Sequence, residues 1–243
     1  MSRFVRIGRS VTKATASTSS VNDSLLNLAN VIDSADPVYG TGLDGDVTIS
    51  SNTTLTSDKY YNNLTLADGV QLNPGGYRIF VRNLLTMGTN SFIGYSTGFS
   101  TAGSIAQGGA TATAVTHSLG GASATQTATA PTAALGGSQY YQQPLQAIRG
   151  WAVSASSTTP TFLRGGAGGA SGAGGGVVIL SARYMTCNTG TYLKAPGTSG
   201  AGGGGGGVIL VVSSSAVIHP NLSTDVTGGT GASAGTVNYM QVA

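Results

Sequence analysis

Glutamate is absent from the 243 residues, and charged residues of every kind make up only 8% of them, against about 25% in an ordinary soluble domain. All acids are aspartates, at positions 23, 33, 36, 44, 46, 58, 68 and 225; aspartate is the acid that turns favour. With few strong helix formers left, a helical or doubly wound enzyme is not expected. A glycosidase-type carboxylate pair would have to come from two aspartates, and Asp44 and Asp46 sit in a Gly-rich stretch where turn formation explains them better. The single cysteine, Cys187, excludes an internal disulfide framework and a cysteine-based zinc site. His117 and His219 have no ligand partner at metal-binding spacing. No nucleophile elbow is present. The N-terminus has no apolar signal-peptide core, and no run approaches the ~20 residues of a membrane span. A net charge of +3 is too small to imply nucleic acid. These absences lead to an expected non-enzymatic protein with no catalytic or metal site, no cofactor, no nucleic-acid partner and no membrane insertion. It is expected to remain in the cytoplasm where it is made, or to leave by a route that needs no signal.

Glycine is what the chain has in excess, 39 residues of it. One run, from Gly165 to Gly176, opens directly into Val177-Val178-Ile179-Leu180. A second, from Gly200 to Gly207, opens into Val208-Ile209-Leu210-Val211-Val212, and a weaker copy precedes Val237-Asn238-Tyr239-Met240. Val177 and Val208 are 31 positions apart, and Val208 and Val237 are 29 apart, so the unit recurs within the ~20–50 residue range of repeat architectures. Short apolar runs of β-branched residues bounded by glycine read as strands buried on both faces. The glycine cannot be α-helical in water, because each Gly costs about 0.8–1.0 kcal/mol against Ala. Two states remain: a flexible linker, or extended segments of the polyproline II type packed side by side. A linker need not be followed each time by an apolar strand, which favours the packed state.

The rest of the chain divides as follows. Residues 1–42 form an arm and a helix. The arm carries Arg3, Arg6, Arg9 and Lys13 with no acid before Asp23; it cannot bury a core alone and is expected to lie on another chain or fold back on its own β-domain. Val21, Leu25, Leu28 and Ile32 are spaced as the stripe of one helix, which Asp36-Pro37 stops. That stripe must dock on the β-domain or on a partner, and Arg3, Arg6, Arg9, Leu25, Leu28 and Ile32 are the candidate assembly anchor. Residues 43–93 alternate strand and turn: Val47–Ile49, Thr53–Leu55, Tyr60–Leu66, Val70–Leu72, Tyr77–Val81 and Leu84–Met87, punctuated by Asp68-Gly69 and Pro74-Gly75-Gly76. Residues 94–164 are a low-complexity excursion of Gly, Ala, Ser, Thr and Gln that ends in an aromatic cluster, Tyr140, Tyr141 and Trp151. That cluster is a candidate surface contact or core packing beside the glycine. Residues 165–243 are glycine-rich β repeats. The expected fold class is all-β, a parallel solenoid of short strands with packed glycine tracts.

The stretch Asp44-Gly45-Asp46-Val47-Thr48-Ile49, then Tyr60-Tyr61-Asn62-Asn63-Leu64-Thr65, then Gly69-Val70-Gln71-Leu72-Asn73-Pro74-Gly75-Gly76-Tyr77-Arg78-Ile79-Phe80-Val81 resembles a module of tailed-bacteriophage virion surface proteins. Gly204 to Leu210 fits the Gly-Gly-Gly-Val-Ile ending of that module. The resemblance spans roughly Leu43 to Val212. It implies a structural protein on the exterior of a virion: a tail fibre or spike, an adhesin with packed polyglycine helices, or a capsid-attached fibre or decoration protein. It implies a homo-oligomer, often a trimer, in contact with other virion proteins and with the host cell surface, and a location on the virion surface after assembly in the host cytoplasm. A receptor-binding adhesin is the alternative reading, and a polysaccharide depolymerase the last.

Overall fold

The computed structural model describes residues 38–98, 115–116, 121–123, 128–129, 164–170, 172–200, 202–215 and 219–242. The chain divides into two units, Met1–Asp36 and Pro37–Ala243; all described residues belong to the second. The arm and the helix expected over residues 21–32 lie outside them.

The described residues contain strands and no helix, and so none long and apolar enough to cross a membrane. The strands are β1 (Gly45–Ile49), β2 (Thr53–Thr54), β3 (Lys59–Leu66), β4 (Gln71–Asn73), β5 (Arg78–Met87), β6 (Phe92–Gly94), β7 (Val115–Thr116), β8 (Ala128–Thr129), β9 (Val177–Cys187), β10 (Thr191–Lys194), β11 (Val208–Ser213), β12 (Leu222–Asp225) and β13 (Thr236–Gln241). One sheet has the order β1-β3-β5-β9-β11-β13, a second has β12-β10-β6-β4-β2, and β7 and β8 form a small pair. Every pairing is parallel. Apart from β7 and β8 the chain alternates between the two large sheets, and both add strands in chain order. The all-β, parallel, short-strand expectation is therefore what the described residues show.

Side-chain alternation sets the faces. Leu64 and Leu66 of β3, Leu85 and Met87 of β5, Val178 and Leu180 of β9, and Ile209 and Val211 of β11 point into one core, which Leu72, Ile93 and Leu193 of the other sheet close. β9 and β11 also bury their other face, where Val177, Ile179, Val208, Leu210 and Val212 pack with Phe80 and Tyr39. Burial on both faces is why these runs read as continuous apolar stretches. The chain reaches β1 across that second face. Ser181 Oγ donates to the Val38 carbonyl, Tyr39 Oη donates to the Val242 carbonyl at 2.6 Å, and Gly40 passes so close to Phe80 that an added Cβ would lie 2.7 Å from the Phe80 Cβ.

The two expected runs Tyr77–Val81 and Leu84–Met87 are one strand, β5, interrupted by a bulge between Val81 and Leu84. β1 and β3 carry matching irregularities. Side-chain amides replace the ladder bonds there. Asn62 Nδ2 and Asn63 Nδ2 donate to Asp46 Oδ1 at 2.7 and 2.9 Å, Asn83 Nδ2 donates to Asn62 Oδ1 at 2.7 Å, and the Leu84 N–H donates to Asn63 Oδ1 at 3.2 Å. The turns at the far end of the strands stack similarly: Gly69 N–H reaches the Thr89 carbonyl at 2.8 Å, and Asn90 N–H reaches the Thr189 carbonyl at 3.0 Å.

Candidate functional site

The corner between each strand of the five-stranded sheet and the next strand of the six-stranded sheet changes character along the chain. Between β4 and β5 it is a tight turn, with Tyr77 N–H donating to the Pro74 carbonyl at 2.9 Å. Ahead of β9, β11 and β13 the same corner grows into an out-and-back excursion. Residues 164–169 run out and 172–176 return; 195–200 run out and 203–207 return; 226–229 run out and 232–235 return. Each reverses in a turn closed by a backbone hydrogen bond: Gly169 N–H to Gly172 O at 2.7 Å, Gly203 N–H to Gly200 O at 3.0 Å, and Ala232 N–H to Gly229 O at 2.9 Å.

These excursions belong to neither helix nor strand, yet the first two are largely buried. Buried backbone groups must find partners, and here they find one another. Gly166 N–H donates to Gly175 O (2.9 Å), Gly175 to Gly205 (2.8 Å), Gly205 to Ala167 (2.8 Å), Gly207 to Ala195 (2.7 Å) and Gly229 to Gly204 (2.9 Å). Residues 121–123, from the middle of the low-complexity excursion, are threaded into the same network. Gly121 N–H donates to Gly206 O at 2.7 Å, Ala167 N–H to Gly121 O at 3.0 Å and Ser233 N–H to Ala122 O at 2.8 Å. Neighbouring backbones are too close for side chains. A Cβ on Gly206 would lie 1.8 Å from the Val226 carbonyl oxygen, and one on Gly205 would lie 1.9 Å from that of Gly121. The reversals are exposed at Ala170, Gly200 and Thr230, and they adjoin: Thr230 N–H donates to the Gly200 carbonyl at 3.2 Å, and a Cβ on Gly202 would touch that of Ala170 at 3.1 Å.

Tyr95 locks the start of this region. It is buried, its hydroxyl donates to the Val177 carbonyl at 3.1 Å, and it accepts the Gly76 N–H at 3.1 Å. Burial drives its pKa far above the usual phenol range. Cys187 is buried too, and burial pushes its thiol up to about 11, a little offset by the hydrogen bond from Thr191. A thiol held neutral in this way is a packing group rather than a nucleophile. Asp46 is held below the usual carboxylate range, first by the Asn62 amide and then by that of Asn63. His219 Nδ1 accepts the Asn221 N–H at 3.3 Å within a turn. No group of His, Cys or Asp among the described residues could hold a metal ion.

The outward faces carry cations laid on rings. Lys194 Nζ lies 4.6 Å from the Phe92 centroid and 4.7 Å from that of Tyr192, and the Arg183 guanidinium lies 5.8 Å from that of Tyr184. Tyr184 and Tyr192 were not singled out from sequence. The period-two alternation of Tyr184–Cys187 and Thr191–Lys194 was the available signal. The residues that were singled out, Arg3, Arg6, Arg9, Leu25, Leu28, Ile32, Tyr140, Tyr141 and Trp151, lie outside the described residues.

No family model matches the chain, and no curated protein or solved structure matches it.

Proposed function

We propose that this protein is a non-enzymatic structural component of the exterior of a bacteriophage virion, a capsid-attached fibre or decoration protein or a tail fibre or spike. In this reading the two sheets are the rungs of a parallel β-solenoid, and the glycine excursions are packed polyproline-II-type segments that widen it at one corner. The region with Arg3, Arg6, Arg9, Leu25, Leu28 and Ile32 is the anchor, and the protein self-associates on the particle.

The observation that carries the proposal is the glycine network. Seven short segments are joined to one another by backbone hydrogen bonds, at separations that leave no room for a methyl group on glycines such as Gly166, Gly205 and Gly206. Such material has little apolar side chain to bury and few places to open locally, which suits a rigid surface exposed to proteases. The resemblance around Tyr60–Thr65, Gly75–Val81 and Gly204–Leu210 supplies the virion context. Deleting residues 1–35 tests it: the β-domain should remain soluble and folded but fail to join particles. Incorporation at the wild-type level would overturn the anchor and with it the proposal.

A second reading, a host-binding adhesin of the tail, is favoured by the adjoining exposed reversals at Ala170, Gly200 and Thr230. Purified protein that binds host cells and blocks infection would support it over a purely architectural role.

A further inference from the structure

The five-stranded sheet turns one face to the core through Leu72, Ile93, Leu193 and Leu222. Side chains alternate along a strand, so Gln71, Phe92, Tyr192 and Ser223 share the opposite, outward face. They are successive register partners on β4, β6, β10 and β12 and make one row across the sheet. Lys194 and Asp225, two positions further along β10 and β12, are register partners in the next row. Tyr192 is 37% exposed.

The polar groups of this face are fixed in place. The Lys194 ammonium sits against both rings, 4.6 Å from the Phe92 centroid and 4.7 Å from that of Tyr192. It does not pair with Asp225; the ion pair among the described residues joins Arg78 to Asp58. Asp225 turns instead to Thr227, whose N–H and hydroxyl donate to Oδ1 at 3.1 and 2.8 Å. Gln71 Nε2 donates to the Gly94 carbonyl at 3.0 Å, which leaves its Oε1 as an acceptor. Aromatic surface is thus flanked by a donor-only ammonium, an acceptor-only carboxylate, an amide oxygen and a hydroxyl.

Charge and size select the ligand. Lys194 and Asp225 stand one strand apart, about 4.8 Å, and their charges cancel, so neither an anion nor a cation gains from the face as a whole. A hydroxyl both donates and accepts, and neighbouring hydroxyls on one ring can answer both groups at once. Gln71 to Ser223 is three strand spacings and the rows are two residues apart, about 14 by 7 Å. That is on the order of 100 Å², against the ~800 Å² per partner of a stable protein interface, whose centre is depleted of charge.

We propose that this face is a binding site for a neutral saccharide. The apolar C–H face of a sugar ring lies on the side of Tyr192 that Lys194 leaves open, against the electron-rich face of the aromatic ring. Its hydroxyls meet Lys194, Asp225 and Gln71 Oε1, and the row toward Ser223 has room for a short oligosaccharide. The site uses neither the anchor nor the reversals at Ala170, Gly200 and Thr230, so its failure would leave both readings above standing.

Binding of the full chain to an array of neutral and acidic oligosaccharides, followed by calorimetric titration with the probes it retains, tests the site. The wild type should retain neutral probes and not acidic ones, and raising the salt should leave the affinity unchanged. Tyr192→Phe, which keeps the ring, should bind like the wild type. Tyr192→Ala should weaken binding about tenfold or more while the melting temperature holds, since the side chain is exposed. If Tyr192→Ala melts lower, Gln71→Leu serves as the second variant; it keeps the volume, removes the amide and should weaken binding several-fold. Retention of no neutral probe would overturn the proposal. So would retention of acidic probes alone, or binding that Tyr192→Ala and Gln71→Leu both leave unchanged. Host-cell binding that survives Tyr192→Ala at full strength would remove this site and leave the adhesin reading intact.

Discussion

A methyl group on Gly206 would sit 1.8 Å from the Val226 carbonyl oxygen and 2.4 Å from the Gly235 nitrogen. Both are backbone atoms with partners of their own, so neither can step aside cheaply. Gly69 is the contrasting case: a Cβ there meets nothing within 4 Å, but φ is +70°, and the left-handed conformation costs an L-residue about 1–2 kcal/mol. Gly69→Ala is therefore expected to lower the melting temperature by a few degrees, at about 2–4 °C per kcal/mol for a chain of this size. Gly206→Ala should exceed the ~1–3 kcal/mol of an ordinary overpacking change and leave little folded protein at 37 °C. Thermal melts of the two variants side by side check this; equal, small losses would mean that the close approach is not enforced. The sequence showed that glycine was concentrated but not which glycines are spatially obligatory. Gly69, read in sequence as a turn residue, is needed for its positive φ, and Gly206, read as one of a tract, for close approach.

The strand elements were legible where apolar or β-branched residues run or alternate between turn signals. β1, β3 and β11 fall where Val47–Ile49, Tyr60–Leu66 and Val208–Val212 put them, and β9 starts where Val177–Leu180 put it but runs on to Cys187. β6, β10 and β12 are three or four residues long and were not legible, whereas the equally short β2 and β4 were, because Asp68-Gly69 and Pro74-Gly75-Gly76 punctuate the chain around them. The bulge that joins the two halves of β5 depends on the amides of Asn62 and Asn63 on β3 and Asn83 on β5 and on the Asp46 carboxylate of β1, which no local window contains. The spacing of the repeats does not by itself give the register: Val208 pairs with Thr236 and Ile209 with Val237. The last glycine of each tract sets the register, because Gly207 and Gly235 stack so closely that a Cβ on Gly235 would lie 1.7 Å from the Gly207 carbonyl oxygen. Tyr95 shows how elements far apart in sequence are tied, since its hydroxyl joins the turn before β5 to the first residue of β9. Tyr95→Phe leaves the buried Gly76 N–H without that acceptor, which should cost about 1–3 kcal/mol. Denaturant unfolding should show a lower midpoint with an unchanged slope. An unchanged midpoint would remove Tyr95 from its bridging role.

Across the whole described unit, two kinds of cohesion divide the work. Side chains such as Leu64, Leu85, Leu180, Ile209 and Leu193 hold the two sheets together by apolar burial. Beside the later strands, main chain holds main chain, and residues 121–123 are drawn in from a distant part of the sequence to fill a gap in that network. No periodicity in the low-complexity excursion marked Gly121–Ser123 for this place; its neighbours in space come from tracts some 45 to 110 residues later. In this architecture the glycine tracts are as fixed as the sheets they adjoin. Native-state amide hydrogen exchange, resolved to individual residues, tests this most directly. The amides of Gly166, Gly175, Gly205, Gly206 and Gly207 should be protected to the same degree as those of β9 and β11 and open with them in one cooperative step. If they exchange as fast as an unstructured peptide while β9 and β11 stay protected, the glycine is slack between strands and the architecture described here is wrong.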